Sequence, residues 1–267
     1  MSVSGLARYG FVLRTSARQQ SVYRAELAGR AVQMVLFMFV FMALWSTAFS
    51  ASGQPEMQGF TFVQMVWYLA MTETIALSSS RVFVEISEAV KAGDLAYTLS
   101  RPMSYPFFQV AYSLGNSAPR AILNLFTAAA VVAVGTRQVA GSLPGLLAFL
   151  AMGPLALVLD ALIAVLIGLM AFWVEEVTPI FWIYQKLLFT LGGLFLPLEM
   201  FPDGLQRVAR WLPFQFITYA PARSFVAFET SLFLRSIGAQ LAYIVVLWLL
   251  VVWVWRRARR RLVVHGG

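Results

Sequence analysis

Three ionisable residues stand inside otherwise apolar stretches of the chain: Glu73, Asp160 and Lys186. Such groups can hold a proton, an ion or the charged part of a substrate, or they can pair with one another. Counting ~1.5 Å per helical residue from the inner helix ends puts them ~10, ~16 and ~14 Å deep in a bilayer. Facing lipid, each would cost about 2.5–3.5 kcal/mol, so all three should face protein or water. The similar depths allow Lys186 to pair with Asp160 on the preceding helix, or with Glu73. As an ion pair they would fasten the bundle. As a site they would suit an ion- or proton-driven secondary carrier.

Other chemistry is missing. No G-x-x-x-x-G-K-[ST] sequence occurs, since neither Lys91 nor Lys186 follows a glycine, so no phosphate-cradling loop is expected. The chain has no cysteine and one histidine, His265 in the tail. Thiol nucleophiles, Cys-based metal sites and Ser–His or Cys–His relays are therefore excluded. No catalytic residue, metal site or resident cofactor is expected.

The elements that must position these residues follow from composition. Hydrophobic residues make up 60% of the chain and charged residues only 12%, about half the share in a soluble domain. Mean hydropathy is +0.75. A soluble fold of this size could not cover so much apolar surface, whereas a bilayer solvates it. The net charge of +8 sits beside the apolar runs, which favours topology control and lipid headgroups over nucleic acid.

A crossing needs about 20 apolar residues. Six stretches qualify, near Ala31–Phe49, Phe60–Ser79, Ala118–Gly135, Gly145–Phe172, Val177–Leu196 and Ile237–Trp255. The fold class is thus all-α integral membrane with six transmembrane helices. No apolar core precedes Ala31, so the first crossing would serve as an uncleaved insertion signal. With both termini cytoplasmic, the inner side holds Arg8, Arg14, Arg18, Arg24, Arg30, Arg81, Lys91, Arg101, Arg120 and the cluster from Arg256 to Arg261. Only Arg137, Arg207, Arg210, Arg223 and Arg235 fall outside, as the positive-inside rule requires.

The chain then divides into a basic N-terminal helix lying in the membrane interface (1–30), a six-helix domain (31–256) and a basic cytoplasmic tail (257–267). Within the domain, the cytoplasmic connection 81–117 carries an amphipathic helix. Val82, Ile86, Ala89 and Val90 form one stripe, Glu85, Glu88 and Lys91 another face, and Gly93 and Arg101-Pro102 end it. The outer connection 197–236 is aromatic-rich but broken by Pro197, Pro202, Pro213 and Pro221. Two short helices dipping into the outer leaflet, near Asp203–Leu212 and Ala220–Phe228, satisfy its backbone best. Glu175 and Glu176 read as a solvated hairpin. Gly192-Gly193 permits close packing or bending.

This layout resembles the membrane-spanning permease of a type-2 ABC transporter. The segment from Glu85 to Leu95 (E-I-S-E-A-V-K-A-G-D-L), followed by Leu99-Ser100-Arg101-Pro102-Met103-Ser104, is similar to that family's cytoplasmic signature. Gly193 to Pro202 (G-L-F-L-P-L-E-M-F-P) and Trp211-Leu212-Pro213-Phe214 are similar to its outer motif. The resemblance implies that Glu85, Ile86, Glu88, Gly93, Asp94, Leu95, Arg101 and Pro102 form a coupling helix seated on a separate ATPase. Gly193, Pro197, Glu199, Pro202 and Pro213 would build the outer gate. It further implies two ATP-binding cassette subunits that hold ATP and Mg, a second permease that is the same or a related chain, and membrane lipids as surroundings. The location would be a bacterial-type cytoplasmic (inner) membrane, and the activity export of an amphipathic or lipid-like substrate.

Overall fold

A computed structural model describes residues 3–93 and 103–265 of the chain. The described residues are almost wholly helical. In chain order the helices are α1 (Val3–Val22), α2 (Arg24–Ser52), α3 (Phe62–Ala76), α4 (Val82–Lys91), α5 (Tyr105–Thr136), α6 (Leu143–Leu169), α7 (Thr178–Leu191), α8 (Asp203–Arg210), α9 (Tyr219–Val226) and α10 (Thr230–His265). Short 3-10 turns cover Met170–Phe172, Leu198–Met200 and Pro213–Phe216. A two-residue antiparallel ladder, Glu56–Met57 on Phe60–Thr61, turns the chain between α2 and α3, an addition to the all-α reading.

Among the described residues, four helical stretches are long and apolar enough to cross a membrane: Ala25–Ser52, Tyr105–Thr136, Leu143–Phe172 and Thr230–Arg260. The second and fifth expected crossings correspond to α3 and α7, which have 15 and 14 residues. That is a rise of about 21–23 Å, below the ~30 Å of a hydrocarbon core. α5 starts at Tyr105, well before the expected Ala118, because Pro106 sits in its first turn where a missing N–H costs nothing. α7 ends at Leu191 rather than 196, where Gly192-Gly193 stops it.

Local chemistry sets the other boundaries. Thr61 and Gln64 form a reciprocal capping box at the start of α3, and Ser142 Oγ accepts from Gly145 N at 3.2 Å at the start of α6. Gly93, at φ 75°, takes the left-handed conformation that ends α4.

α3 and α6 form the centre. Met65 to Ile75 is buried without interruption, as is most of Leu159 to Leu169. α2 buries only the stripe Met34, Met38, Trp45 and Phe49, while Leu36, Phe39 and Val40 are exposed. Hydrocarbon solvates such faces, so helix contact must come from close packing and polar links rather than from apolar burial. Two glycines supply it. A methyl group at Gly115 of α5 would lie 2.6 Å from Leu13 O of α1. At Gly168 of α6 it would lie 2.8 Å from Ile86 Cβ of α4. At this same end Arg120 donates to Gln20 Oε1 (2.9 Å) and pairs with Glu26 (3.3 Å), and Arg30 donates to Leu77 O (3.3 Å). α1, α2, α5 and the end of α3 are thereby tied together.

Candidate functional site

α4 is fastened along one side and bare along the other. Val82, Phe83, Ile86 and Ser87 are buried. Ile86 is seated over Gly168, and the Phe83 ring stacks on Phe181 of α7 with centroids 4.0 Å apart. Arg81, Glu85, Glu88 and Lys91 lie on exposed positions. Ile86, expected to serve a partner, is instead turned into its own chain at 0% exposure, because the apolar stripe of the helix faces α6. The Glu85 carboxyl lies against Tyr112 of α5. Desolvation pushes its pKa up, more than the Tyr112 hydrogen bond pulls it down. Gly93 closes the helix, and among the described residues no atom lies within 4 Å of a Cβ placed there. Asp94, Leu95, Arg101 and Pro102 lie outside the described residues.

A second element joins this surface. The Lys91 ammonium meets Glu176 at 3.2 Å, and Glu176 Oε1 accepts from Thr178 N (3.1 Å) and Thr178 Oγ1 (2.6 Å). The Thr178 hydroxyl and amide, helped by Lys91, hold this carboxyl at about 2. Glu176, 57% exposed as a solvated hairpin residue should be, also links α4 to the start of α7. Trp173 and Val174 on the same turn are 39% and 40% exposed. The signal in the sequence was an acid two residues before Thr178-Pro179, a helix-start pattern.

The three ionisable residues at membrane depth do not converge. Asp160 is buried and accepts from Ser79 Oγ and from the Tyr184 hydroxyl, both at 2.6 Å. Glu73 is 2% exposed within α3. Lys186 pairs with neither acid. It is exposed, with Nζ 5.6 Å from the Phe189 ring centroid. The reason is rotational: two residues turn a helix by about 200°, so pointing Tyr184 at Asp160 turns Lys186 away. Trp182, Ile183 and Leu187 share its bare side of α7.

At the opposite end α7 gives way to a stretch whose carbonyls are held by hydroxyls. Tyr68 donates to Gly193 O, Thr72 to Leu194 O (2.9 Å) and Thr218 to Gly192 O (2.6 Å). Gly193 has φ 69°, and a methyl there would crowd the Tyr68 hydroxyl at 3.0 Å. Pro197, Pro202 and Pro213 each begin or precede a short helical piece. The two expected short helices are α8 and α9, and Glu199 links the segment internally. Its Oε1 accepts from the Tyr219 hydroxyl (2.8 Å) and Arg223 Nε (3.0 Å). Neither Tyr219 nor Arg223 was singled out from sequence, because nothing local marks a partner 20 or 24 residues away.

A family model described as "ABC-2 family transporter protein" matches residues 33–266. The matched region begins within α2 and takes in every element after it. No curated protein matches the chain.

Proposed function

The chain belongs to the ABC-2 family of transporter proteins, and from that membership we propose that it is the permease subunit of an ATP-driven exporter whose motor is a separate ATPase. The observation that carries this reading is α4. It is pinned to α6 by Ile86 on Gly168 and presents Arg81 and Glu88 outward, with the Glu85 carboxyl turned back against Tyr112. A push on that face would pass into the centre of the bundle through packed atoms rather than through a loop.

In this reading α3 and α7 complete six crossings, their short spans extended by the non-helical residues at each end. α1, α4 and both termini lie at the cytoplasmic side. Two ATP-binding cassette subunits holding ATP and Mg dock on α4 and on the turn at 173–177. A second permease, the same chain or a related one, covers the Lys186 side of α7. Lipid cannot cover it without the cost of a lone ammonium in hydrocarbon. The family's outer motif would cap the exit, and an amphipathic or lipid-like cargo suits walls with so few polar groups. The secondary-carrier alternative has less support, since Lys186 faces away from both acids and Asp160 is held by two hydroxyls.

The test is to copurify the full chain with its ATPase and measure substrate moved per ATP hydrolysed. Glu85→Lys and Glu88→Lys together should cut that ratio about tenfold, within the usual range of coupling energies. Membrane insertion should be unaffected. Unchanged coupling, or a chain that transports without nucleotide, defeats the proposal.

A further inference from the structure

The end of α10 passes beside the first turn of α5, and the two helices enclose a cleft of about 450 Å³. Val252, Trp255, Arg256 and Arg259 line it from α10, and Ser104 and Pro106 from the other side. Contacts fix its shape. The Trp255 ring stacks on Tyr105 with centroids 4.6 Å apart, and Ser104 N donates to the Tyr9 hydroxyl of α1 at 2.9 Å. Arg256 and Arg259 are exposed, and among the described residues neither forms an ion pair. No acid is among the described lining residues. Arg257, between them in the chain, is engaged elsewhere, its guanidinium 4.6 Å from the Trp253 ring centroid. No side chain caps α5 here, so the positive end of its dipole adds to the potential of the two arginines.

We infer that this cleft binds the headgroup of an anionic phospholipid whose acyl chain lies along α10. What selects a lipid over a soluble phosphate is the rest of that helix face. Leu241, Val245, Leu249, Val252, Arg256 and Arg259 recur at steps of three and four, one stripe over about five turns. Its apolar part is bare: Leu241, Val245 and Leu249 are 50%, 56% and 62% exposed. From Leu241 to Val252 the stripe rises about 16 Å, roughly half of a ~30 Å hydrocarbon core. A chain lying on that track brings its phosphate to the two guanidinium groups, where apolar residues give way to arginine. Guanidinium matches phosphate oxygens in pairs, and basic clefts between membrane helices take such heads. The missing acid decides the headgroup class, because a zwitterionic head would bring an ammonium that no carboxylate meets. The leaflet, the inner one, follows from the orientation proposed above; the cleft and the stripe do not depend on it.

The full chain, stripped of lipid in a neutral detergent, should be titrated with phosphatidylglycerol and with phosphatidylcholine of the same tails. Native mass spectrometry counts the lipid bound. Phosphatidylglycerol should be favoured about thirtyfold, the weight of two arginines at a membrane surface. Arg256→Gln with Arg259→Gln should erase that preference. Arg257→Gln with Arg260→Gln removes the same charge from outside the cleft and should keep it. All four side chains are exposed, so both variants should fold and insert alike. Equal loss in the two variants would reduce the effect to diffuse charge and overturn the site. Retained preference in the Arg256 and Arg259 variant also overturns it, and ATPase lost from the complex at the same time would give the cleft to that partner. Glycerol phosphate competing as well as the lipid would overturn the acyl track. None of the lipid measurements needs ATP hydrolysis or transport, so their failure leaves the exporter proposal standing.

Discussion

Asp160 shows how a buried carboxyl is kept without an opposite charge. Ser79 and Tyr184 donate to its two oxygens from different segments, which binds the α3–α4 connection, α6 and α7 together. Tyr184→Phe removes one of those donors and should cost about 1–3 kcal/mol, seen as a lower melting point in detergent. A double-mutant cycle between Asp160→Asn and Lys186→Gln should give a coupling below about 0.5 kcal/mol, because the two side chains do not meet. A larger coupling would mean that they do pair. Residue types were legible in the sequence for all three groups, but the depth given to Asp160 was not, since it accepts from Ser79, the last residue of the second expected crossing. Partners were not, since depth along a helix says nothing of rotation about it, and Tyr184 competes for the same acid. The same limit hid Arg223 and Tyr219, whose partner Glu199 was named for its place in a motif rather than for a contact.

At the scale of elements, α4 is legible from its stripe of Val82 and Ile86, and the structure adds what that stripe rests on. Gly168 is the complement of Ile86. Gly168→Ala would press a methyl against Ile86 Cβ and the Phe83 backbone, neither of which can swing aside. We expect a loss of about 1–3 kcal/mol and weaker coupling of transport to hydrolysis, measured as thermal stability and substrate moved per ATP. The turn at 173–177 was not legible, because its role depends on a contact with Lys91, 85 residues earlier in the chain. That contact makes a pH prediction. The Glu176 carboxyl is depressed to about 2 from an ordinary 4.5, so its stabilising contribution is complete above 4.5 and is lost as pH falls toward 2. The difference in melting point between the wild type and Glu176→Gln should therefore be flat from pH 6 to 8 and close below pH 4.5. A difference that varies across neutral pH would contradict the assignment. Helix lengths, too, were only partly readable: α5 gained its first turns from Pro106, and α7 lost its last to a glycine pair.

Over the whole molecule, the exposed apolar surface is not uniform in what it asks of its surroundings. Most of it suits lipid, but the side of α7 with Trp182, Ile183 and Lys186 does not. The chain has no cysteine, so single substitutions report contacts without background. Ile183→Cys should form a disulfide-linked species under mild oxidation, either with its own copy or with a cysteine placed on the same helix of a second permease. Ile122→Cys, as exposed but on α5, should not. Equal cross-linking at both positions would remove the case for a partner on α7. The joint after α7 carries a separate consequence. Its carbonyls are met by side-chain hydroxyls of Tyr68, Thr72 and Thr218, with the Tyr219 amide also on Gly192 O, and not by the rigid ladder of a continued helix. Such a connection tolerates tilting: as the helix below swings, each hydroxyl can follow its oxygen through a few degrees of torsion. The segment above can thus part from the helix that carries it without leaving a naked peptide group in oil.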